Sequence, residues 1–361
     1  MRRSKGHGSW LLRCGAVLVF TALPIACIEI LLRLAIIPLP EVATQYVFGC
    51  YESSQPRRYI HTVVTPLALS LHRPGFSGTC FFQGYWWHHQ SDAFGWRNPE
   101  TWDAADAVVL GDSMVYGHGV EERQTATHFM HEISGRRVVN LGITGGSPVH
   151  YLANLRNFGL PLHPAVAIVL FFGNDLGDIR ATRSPEQVQR FVETGDGAET
   201  QVIPREQLLG RLRLPGKQEP DVLDVFAVYR LLQYALRSRG LMAFQEPARP
   251  VDPREAVVAT LAASYAREVA YLRRAVAMMA ESSRAAGTAL VVGNLGLRQP
   301  VDLLIERQLQ ELSREYGLHY FDDTPVLDGR HRLPRDGHLN EAGHRRLAEA
   351  LVAFIDERRL W

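Results

Sequence analysis

The sequence lacks most of the features that assign a function at a glance. Its formal net charge is only +1, from 39 basic and 38 acidic side chains, so nothing predicts a nucleic-acid partner. None of its four cysteines forms a CxxC pair, and no Cys/His spacing predicts zinc. His88 and His89 are adjacent and would point to opposite faces of a strand, so we do not expect them to share a metal ion. We expect neither a metal nor a cofactor, and function has to be inferred from local sites.

The first 28 residues of the chain lack acidic side chains. Residues 1–13 carry four basic side chains and no acidic one, and residues 14–28 carry no charge. Residues 10–39 are mostly apolar and, as a helix, are long enough to cross a bilayer core of about 30 Å. The basic flank predicts that residues 1–9 stay in the cytoplasm and that the chain after the span is exported. We expect a retained signal anchor; a cleaved signal peptide and lipidation at Cys27 are the alternatives.

Two pairs of residues in and after this segment carry further expectations. Glu29 and Arg33 are four residues apart, so on a helix they share a face and can pair. Cys50 and Cys80 follow the apolar segment and could form a disulfide in an oxidising compartment. Two buried free thiols are the equal alternative.

From residue 104 onward, short apolar runs alternate with helical periodicity. The runs are AVVLGDS at 107–113, RVVNLG at 137–142, AVAIVLFFGND at 165–175, TALVVGNLG at 288–296 and LHYFDD at 318–323. This alternation predicts an α/β fold, a doubly wound, flavodoxin-like three-layer α/β/α sandwich with a parallel five-stranded sheet. Residues 40–103 are expected to form an irregular or β-containing lead-in. Residues 180–252 interrupt the alternation and are expected to be an insertion that covers or flanks the site.

Polar motifs stand where these strands end. They occupy residues 111–113, 140–146 and 173–175, and a fourth motif, residues 336–340, precedes the last predicted helix. In doubly wound sheets, active groups gather in the loops at the carboxyl ends of the strands. Each motif alone is compatible with a turn or a helix cap. Together they predict one site.

In order, the four motifs resemble the sequence blocks of the SGNH/GDSL hydrolase family over roughly residues 104–358. GDSMVYGHG resembles the first block and implies Ser113 as nucleophile. NLGITGG resembles the second and implies Gly145 as a backbone donor of the oxyanion hole, and FFGND implies Asn174 as its side-chain donor. DGHLNEAGH resembles the last block and implies His338 as the base and Asp336 as the acid that orients it.

Two details resemble one branch of that family. A single residue separates Asp336 from His338, where the commoner block has two, and this spacing is similar to that of alginate and other polysaccharide acetylation proteins. The segment SDAFGWRNPE, residues 91–100, resembles membrane-anchored bacterial members that often act on cell-surface polysaccharides. The resemblance implies a bacterial inner-membrane protein whose periplasmic domain acts on O-acyl groups of a glycan. A membrane-bound acyl-donor protein is the partner expected for acyl transfer.

The chemistry of the residues agrees with these roles. A serine hydroxyl needs a base within hydrogen-bond reach, and His338 can take the proton of Ser113. The amides of Ser113 and Gly145 and the carboxamide of Asn174 could donate to the oxyanion that forms. We expect acyl transfer through an acyl-Ser113 intermediate, to water as an esterase or to a sugar hydroxyl as an O-acyltransferase. The alternative is a non-catalytic glycan-binding or assembly protein that retains the fold.

Four neighbours of these residues receive structural roles. Asp112 is expected to form the turn before the nucleophile, and Asn340 to cap the helix that begins at Glu341. His118 is a tempting second base, but we expect it to line the pocket. His344 would be a surface helix residue if the last motif were only a turn and a cap.

Overall fold

The structure, a computed structural model, describes residues 7–34, 36–48, 61–64, 69–82, 84–204, 206–208, 226–237, 255–335 and 337–361. The chain divides into two compact units. One comprises residues 1–58, 81–84 and 219–244, and the other comprises residues 59–80, 85–218 and 245–361. The second unit holds the described site residues, and residues 180–252 are shared between the two units.

The helices and strands are numbered in chain order. The helices are α1 (His7–Arg33), α2 (Glu41–Phe48), α3 (Ser113–Tyr116), α4 (Ala126–Ser134), α5 (Pro148–Asn154), α6 (Asp175–Thr182), α7 (Pro185–Thr194), α8 (Ala227–Arg237), α9 (Glu255–Ser264), α10 (Ala266–Ala285), α11 (Pro300–Tyr316) and α12 (Glu341–Arg358). The strands are β1 (His61–Val64), β2 (Leu69–His72), β3 (Ser77–Phe82), β4 (Tyr85–Gln90), β5 (Ala107–Gly111), β6 (Val138–Gly142), β7 (Val166–Phe171), β8 (Ala289–Asn294) and β9 (His319–Phe321).

The main sheet contains the five predicted strands, all parallel, in the order β6-β5-β7-β8-β9. This order is the flavodoxin-like one, and the prediction of a parallel five-stranded sheet is confirmed. The chain runs outward from β5 to β6 and then returns past β5 to β7. The strand order therefore reverses between β5 and β7, and ligands of such sheets bind at the carboxyl ends of the strands at that point.

Strand β7 shows how the sheet is buried on both faces. All six of its residues are buried, and they alternate between two apolar cores. Val166, Ile168 and Leu170 pack in the core formed with α3, α4 and α12. The other three residues pack in the core formed with α5, α6, α7, α9, α10 and α11. Helices thus cover both faces, as expected of a three-layer α/β/α sandwich with parallel strands.

The lead-in contributes two small sheets, β1 with β2 and β3 with β4. His88 in β4 is exposed and His89 is buried, so they face opposite ways as predicted. Cys80 in β3 is fully buried and disulfide-bonded. Cys50 lies outside the described residues, so its pairing with Cys80 stays a prediction.

Glu29 organises the first unit. It forms the predicted ion pair with Arg33, at 2.7 Å between Oε1 and Nε. Its carboxylate also accepts from the backbone N–H groups of Ala227 at 3.0 Å and Val228 at 2.9 Å, which are first-turn donors of α8. The predicted membrane span over residues 10–39 coincides largely with α1. Within the described part of the chain, no helix is both long and apolar enough to cross a membrane.

Candidate active site

Ser113 and His338 lie in hydrogen-bond contact. The distance from Ser113 Oγ to His338 Nε2 is 2.7 Å, although the two residues are 225 positions apart in the chain. Both side chains are half-buried. A hydroxyl that donates to an imidazole nitrogen at this distance is placed to lose its proton to the ring.

Ser113 is presented by a tight turn at the end of β5. It is the first residue of the short helix α3, and the carboxylate of Asp112 accepts from the Met114 N–H at 2.9 Å. Asp112 therefore caps α3, which confirms its predicted role as a turn former. Gly117 ends the helix in the left-handed conformation, with φ at +84°.

Two buried side chains fix the segment that follows the nucleophile. The guanidinium of Arg97, which is fully buried, donates to the carbonyls of Gly117 and Val120. The carboxamide of Asn140 donates to the carbonyl of Val115 at 3.0 Å and to Thr127 Oγ1 at 3.1 Å. Charged or polar groups are rarely buried without such partners. These contacts tie the lead-in and β6 to the turn that carries Ser113.

The loop that carries His338 is held largely through its backbone. The Leu333 N–H donates to the His338 carbonyl at 2.6 Å. Arg332 donates through its guanidinium to the carbonyls of Gly337, Leu295 and Gly296, each at 3.0 Å. This side chain links the base loop to the end of β8.

The start of α12 fixes the other end of this loop. Asn340 accepts from the Gly343 N–H at 2.9 Å and caps α12, as predicted. Asp336 lies outside the described residues, so its role as the orienting acid stays a prediction.

The two predicted oxyanion donors, Gly145 and Asn174, follow β6 and β7, the neighbours of β5 on either side. Gly145 is exposed and has φ at +66°, and a Cβ built there would meet no atom within 4 Å. Glycine is therefore favoured here by the left-handed backbone. Asn174 is exposed, and its Nδ2 donates to Asp178 Oδ2 at 2.8 Å.

Three carboxyl groups, one before α3 and two in the first turn of α6, have raised pKa values. Burial raises the pKa of Asp112 to about 6, an effect that the charge on His338 opposes. Burial and the negative charge of Asp112 raise the pKa of Asp178 to about 7. The same two causes raise the pKa of Asp175 well above its usual range, and its carboxylate accepts from Tyr151 Oη at 2.8 Å. The site therefore holds carboxyl groups that titrate near neutral pH.

Two further histidines pack around the base. The ring of His118 lies against that of His338, with centroids 4.4 Å apart, and burial together with the charges on His338 and Arg97 lowers the pKa of His118 well below its usual value. His118 thus acts as a neutral packing partner of the base. His344 is buried, and its Nδ1 accepts from the Ala126 N–H at 3.2 Å. His344 is therefore not a surface residue, because α12 packs this side chain against the start of α4.

The predicted insertion contributes a cavity of about 600 Å³. Its lining includes Arg183, Arg190 and Glu199, but none of the predicted site residues. Burial, together with the charge of Arg183, lowers the pKa of His150 to about 4, and His150 lies in the helix after the Gly145 loop. The expectation that residues 180–252 cover or flank the site stays a prediction.

Sequence reasoning did not single out three residues that shape the site. Arg97 lies within the segment that resembles membrane-anchored family members, so a signal was present. Arg332 contacts a loop that is distant in the sequence, and Asp178 contacts Asn174, which lies one helical turn away. An (i, i+4) spacing from Asn174 was the only sequence signal for Asp178.

No protein-family model matches the sequence, and no curated protein matches it at a significant level. Solved structures do resemble the fold. TesA is 16% identical over 71% of this chain and 99% of its own, with a TM-score of 0.40. The psychrotrophic esterase EstA from Pseudoalteromonas sp. is 8% identical over 70% and 98%, with a TM-score of 0.38. The acetylxylan esterase Axe2 from Geobacillus stearothermophilus is 11% identical over 71% and 95%, with a TM-score of 0.35. At identities this low, the case for function rests on the geometry of the site.

Proposed function

We propose that this protein is a serine-dependent ester hydrolase or O-acyltransferase of the SGNH type. The contact between Ser113 Oγ and His338 Nε2, at 2.7 Å, is the observation that carries the proposal. A hydroxyl and an imidazole in contact are the core of nucleophilic catalysis by serine. The Gly145 amide and the Asn174 carboxamide follow the strands on either side of β5 and supply donors of the kind that an oxyanion requires.

In the first half-reaction, His338 Nε2 accepts the proton of Ser113 while Oγ attacks the acyl carbonyl carbon. The carbonyl oxygen becomes negative in the tetrahedral intermediate. There, the amides of Ser113 and Gly145 and Nδ2 of Asn174 donate hydrogen bonds to it. Collapse breaks the ester C–O bond, and His338 returns the proton to the departing alcohol. The acyl group remains as an ester of Ser113.

In the second half-reaction, His338 takes a proton from the acceptor, whose oxygen attacks the acyl-serine. Water as acceptor gives a carboxylic acid, and a sugar hydroxyl gives a new ester. Both routes regenerate Ser113 and use the same groups. Hydrolysis and transfer therefore differ only in which hydroxyl reaches the acyl-enzyme.

The proposed substrate class is an O-acylated glycan outside the cytoplasm. Its support is the sequence resemblance: the single residue between Asp336 and His338, and the segment 91–100. On the same basis we propose that Asp336 orients His338, that the chain is anchored in the bacterial inner membrane and that a membrane-bound acyl-donor protein supplies the acyl group in transfer.

The test compares purified full-length wild type with Ser113→Ala and His338→Ala. Turnover of p-nitrophenyl acetate and labelling by a serine-reactive fluorophosphonate are measured. Ser134→Ala and His131→Ala are the controls, because both residues lie in the last turn of α4, which precedes the amino end of β6, whereas the site lies at the carboxyl ends of the strands. We expect the two site variants to lose roughly 10⁴-fold or more in kcat and to lose labelling, and the controls to match wild type. Folded wild type that neither labels nor turns over would contradict the proposal and favour the glycan-binding alternative.

A further inference from the structure

Asn174 stands at the start of α6 but does not cap it. Its backbone is helical, with φ at −75° and ψ at −17°, and its side chain accepts no hydrogen bond from the first turn. Its Nδ2 instead donates to Oδ2 of Asp178 at 2.8 Å. The two residues are four apart, so they lie on one face of the helix, one turn from each other. Asp178 therefore accepts from this carboxamide, which also interacts with the carboxyl group of Asp112 and lowers its pKa.

Asn340 shows the usual behaviour of an asparagine in this position. It precedes α12 with extended backbone, φ at −82° and ψ at 178°, and its Oδ1 accepts from the Gly343 N–H. An N-cap residue needs such a backbone to bring its oxygen to the first-turn amides. The two asparagines occupy equivalent helix positions in one chain, and both donate through Nδ2, Asn340 to the carbonyls of Arg330 and Arg332, but only Asn340 also caps its helix. The difference points to a role for Asn174 other than helix capping.

The setting of Asp178 is electrostatically unfavourable. The carboxyl is half-buried, and Asp112 adds negative charge beside it. No cation pairs with it among the described residues. A carboxylate held against desolvation and like charge is typical of functional sites. The hydrogen bond from the Asn174 carboxamide is the one that its side chain makes among the described residues.

A carboxamide nitrogen carries two hydrogens, and Asp178 engages one of them. We propose, on the basis of the function proposed above, that Asp178 is a positioning residue that fixes the Asn174 carboxamide so that its second N–H donates to the substrate oxyanion. Asp178 contacts neither substrate nor nucleophile in this scheme. Its effect on the reaction is transmitted entirely through Asn174.

The kinetic test is a double-mutant cycle in the full-length protein. It compares wild type, Asp178→Ala, Asn174→Ala and the double variant, with Asp178→Asn as the conservative change that keeps an oxygen acceptor. We expect Asp178→Ala to lower kcat and the fluorophosphonate labelling rate about tenfold and to leave KM within about twofold. Asp178→Asn should recover most of this loss. In the Asn174→Ala background, Asp178→Ala should change kcat by less than about twofold.

A measurement that does not depend on turnover tests the contact itself. The ¹H–¹⁵N side-chain amide signal of Asn174, assigned by its loss in Asn174→Ala, should shift in Asp178→Ala and not in the exposed control Glu186→Ala. An unchanged signal overturns the proposal even if every variant is inactive, and inactivity of wild type would contradict only the function. A kcat loss in Asp178→Ala that is equally large without Asn174, or a kcat gain, also overturns it. A gain would mean that Asp178 competes with the oxyanion.

Discussion

The proposed base and the proposed oxyanion donors of this site are held in contrasting ways. The base loop is fixed by backbone hydrogen bonds, by the Asn340 cap and by a guanidinium that reaches three carbonyls. On the oxyanion side, Gly145 lies exposed with open space where a Cβ would be, and the carboxamide of the exposed Asn174 donates to Asp178 and interacts with Asp112. One side of the site depends on many shared contacts, whereas the other depends on local conformation.

This contrast follows from what each part has to do. The imidazole has to meet Ser113 at one distance before the substrate arrives, and multiple contacts reduce its freedom. The oxyanion donors have to stay accessible to a substrate oxygen, so they cannot be enclosed by protein. Substitutions on the base side should therefore affect both stability and rate, and those on the oxyanion side chiefly rate.

The largest expected effect in this comparison comes from Arg332→Met. The change keeps much of the side-chain volume but removes the donors to the carbonyls of Gly337, Leu295 and Gly296. We expect kcat to fall about 10²-fold because a small displacement of His338 misaligns the proton transfer. We also expect unfolding to become easier by about 2 kcal/mol, since buried carbonyls lose charged donors.

Arg330→Met is the matched control for this change. Arg330 is two residues away and exposed, and its side chain pairs with the exposed Asp328. Its loss should leave kcat within about twofold and stability nearly unchanged. Equal effects of the two substitutions, measured by chemical denaturation and steady-state kinetics, would show that Arg332 does not hold the base loop.

Gly145→Ala tests the oxyanion side with a smaller expected effect. The new methyl group would meet nothing within 4 Å, so only the backbone at φ +66° is strained, by about 1 kcal/mol. If the loop relaxes, its amide leaves the oxyanion position, and we expect kcat to fall roughly tenfold.

Gly135→Ala supplies the matched control for that strain. Gly135 has φ at +68° and the same open space, but it ends α4 just before the amino end of β6, away from the carboxyl ends of the strands. Both variants should lose similar stability in thermal melts, and only Gly145→Ala should lose activity. A kcat loss shared by both would indicate a general effect of destabilisation instead of a donor at Gly145.

The smallest expected effect is a change in the pH dependence of stability, and it comes from His344→Gln at mildly acidic pH. Burial lowers the pKa of His344 to about 3, so the folded protein keeps it neutral where the unfolded chain binds a proton. Above about pH 6.5 this histidine is neutral in both the folded and the unfolded state. Below that pH, protonation of the unfolded chain lowers the free energy of unfolding, by about 1.4 kcal/mol per pH unit for one group. The stability difference between wild type and His344→Gln should therefore narrow below that pH in urea titrations. A constant difference from pH 8 to pH 5 would contradict neutral burial.

Much of the fold could be predicted because the five strands of the main sheet are short apolar runs that end in polar turns. Parallel strands buried on both faces leave that signal in the sequence. The contact between Ser113 and His338 could be anticipated because each residue belongs to a polar motif, one at the end of a predicted strand and one before the last helix. The order of these motifs along the chain agrees with a doubly wound sheet that brings them to one site. The burial of His344 was also readable: with Leu347, Ala348 and Leu351 it completes one apolar face of α12.

The remaining features depend on geometry that spacing does not encode. Nothing in the sequence around Arg332 shows that its guanidinium reaches the end of β8, because the contact joins segments 36 to 37 residues apart. The sequence also does not show which property selects glycine at position 145, where the structure has a left-handed backbone, with φ at +66°, and open space where a Cβ would be. A dihedral angle and a packed volume both select glycine, and a sequence cannot distinguish them.

The distance in sequence between Ser113 and His338 has a consequence for synthesis of the chain. All five strands of the main sheet precede residue 338, so a growing chain can possess its GDS motif and most of its core while Ser113 is still an ordinary alcohol. On the proposed mechanism, reactivity toward acyl groups arises only when the loop before α12 docks. A chain truncated before residue 338 would keep Ser113 and lack His338, so the proposed mechanism confines acyl chemistry to the completed fold.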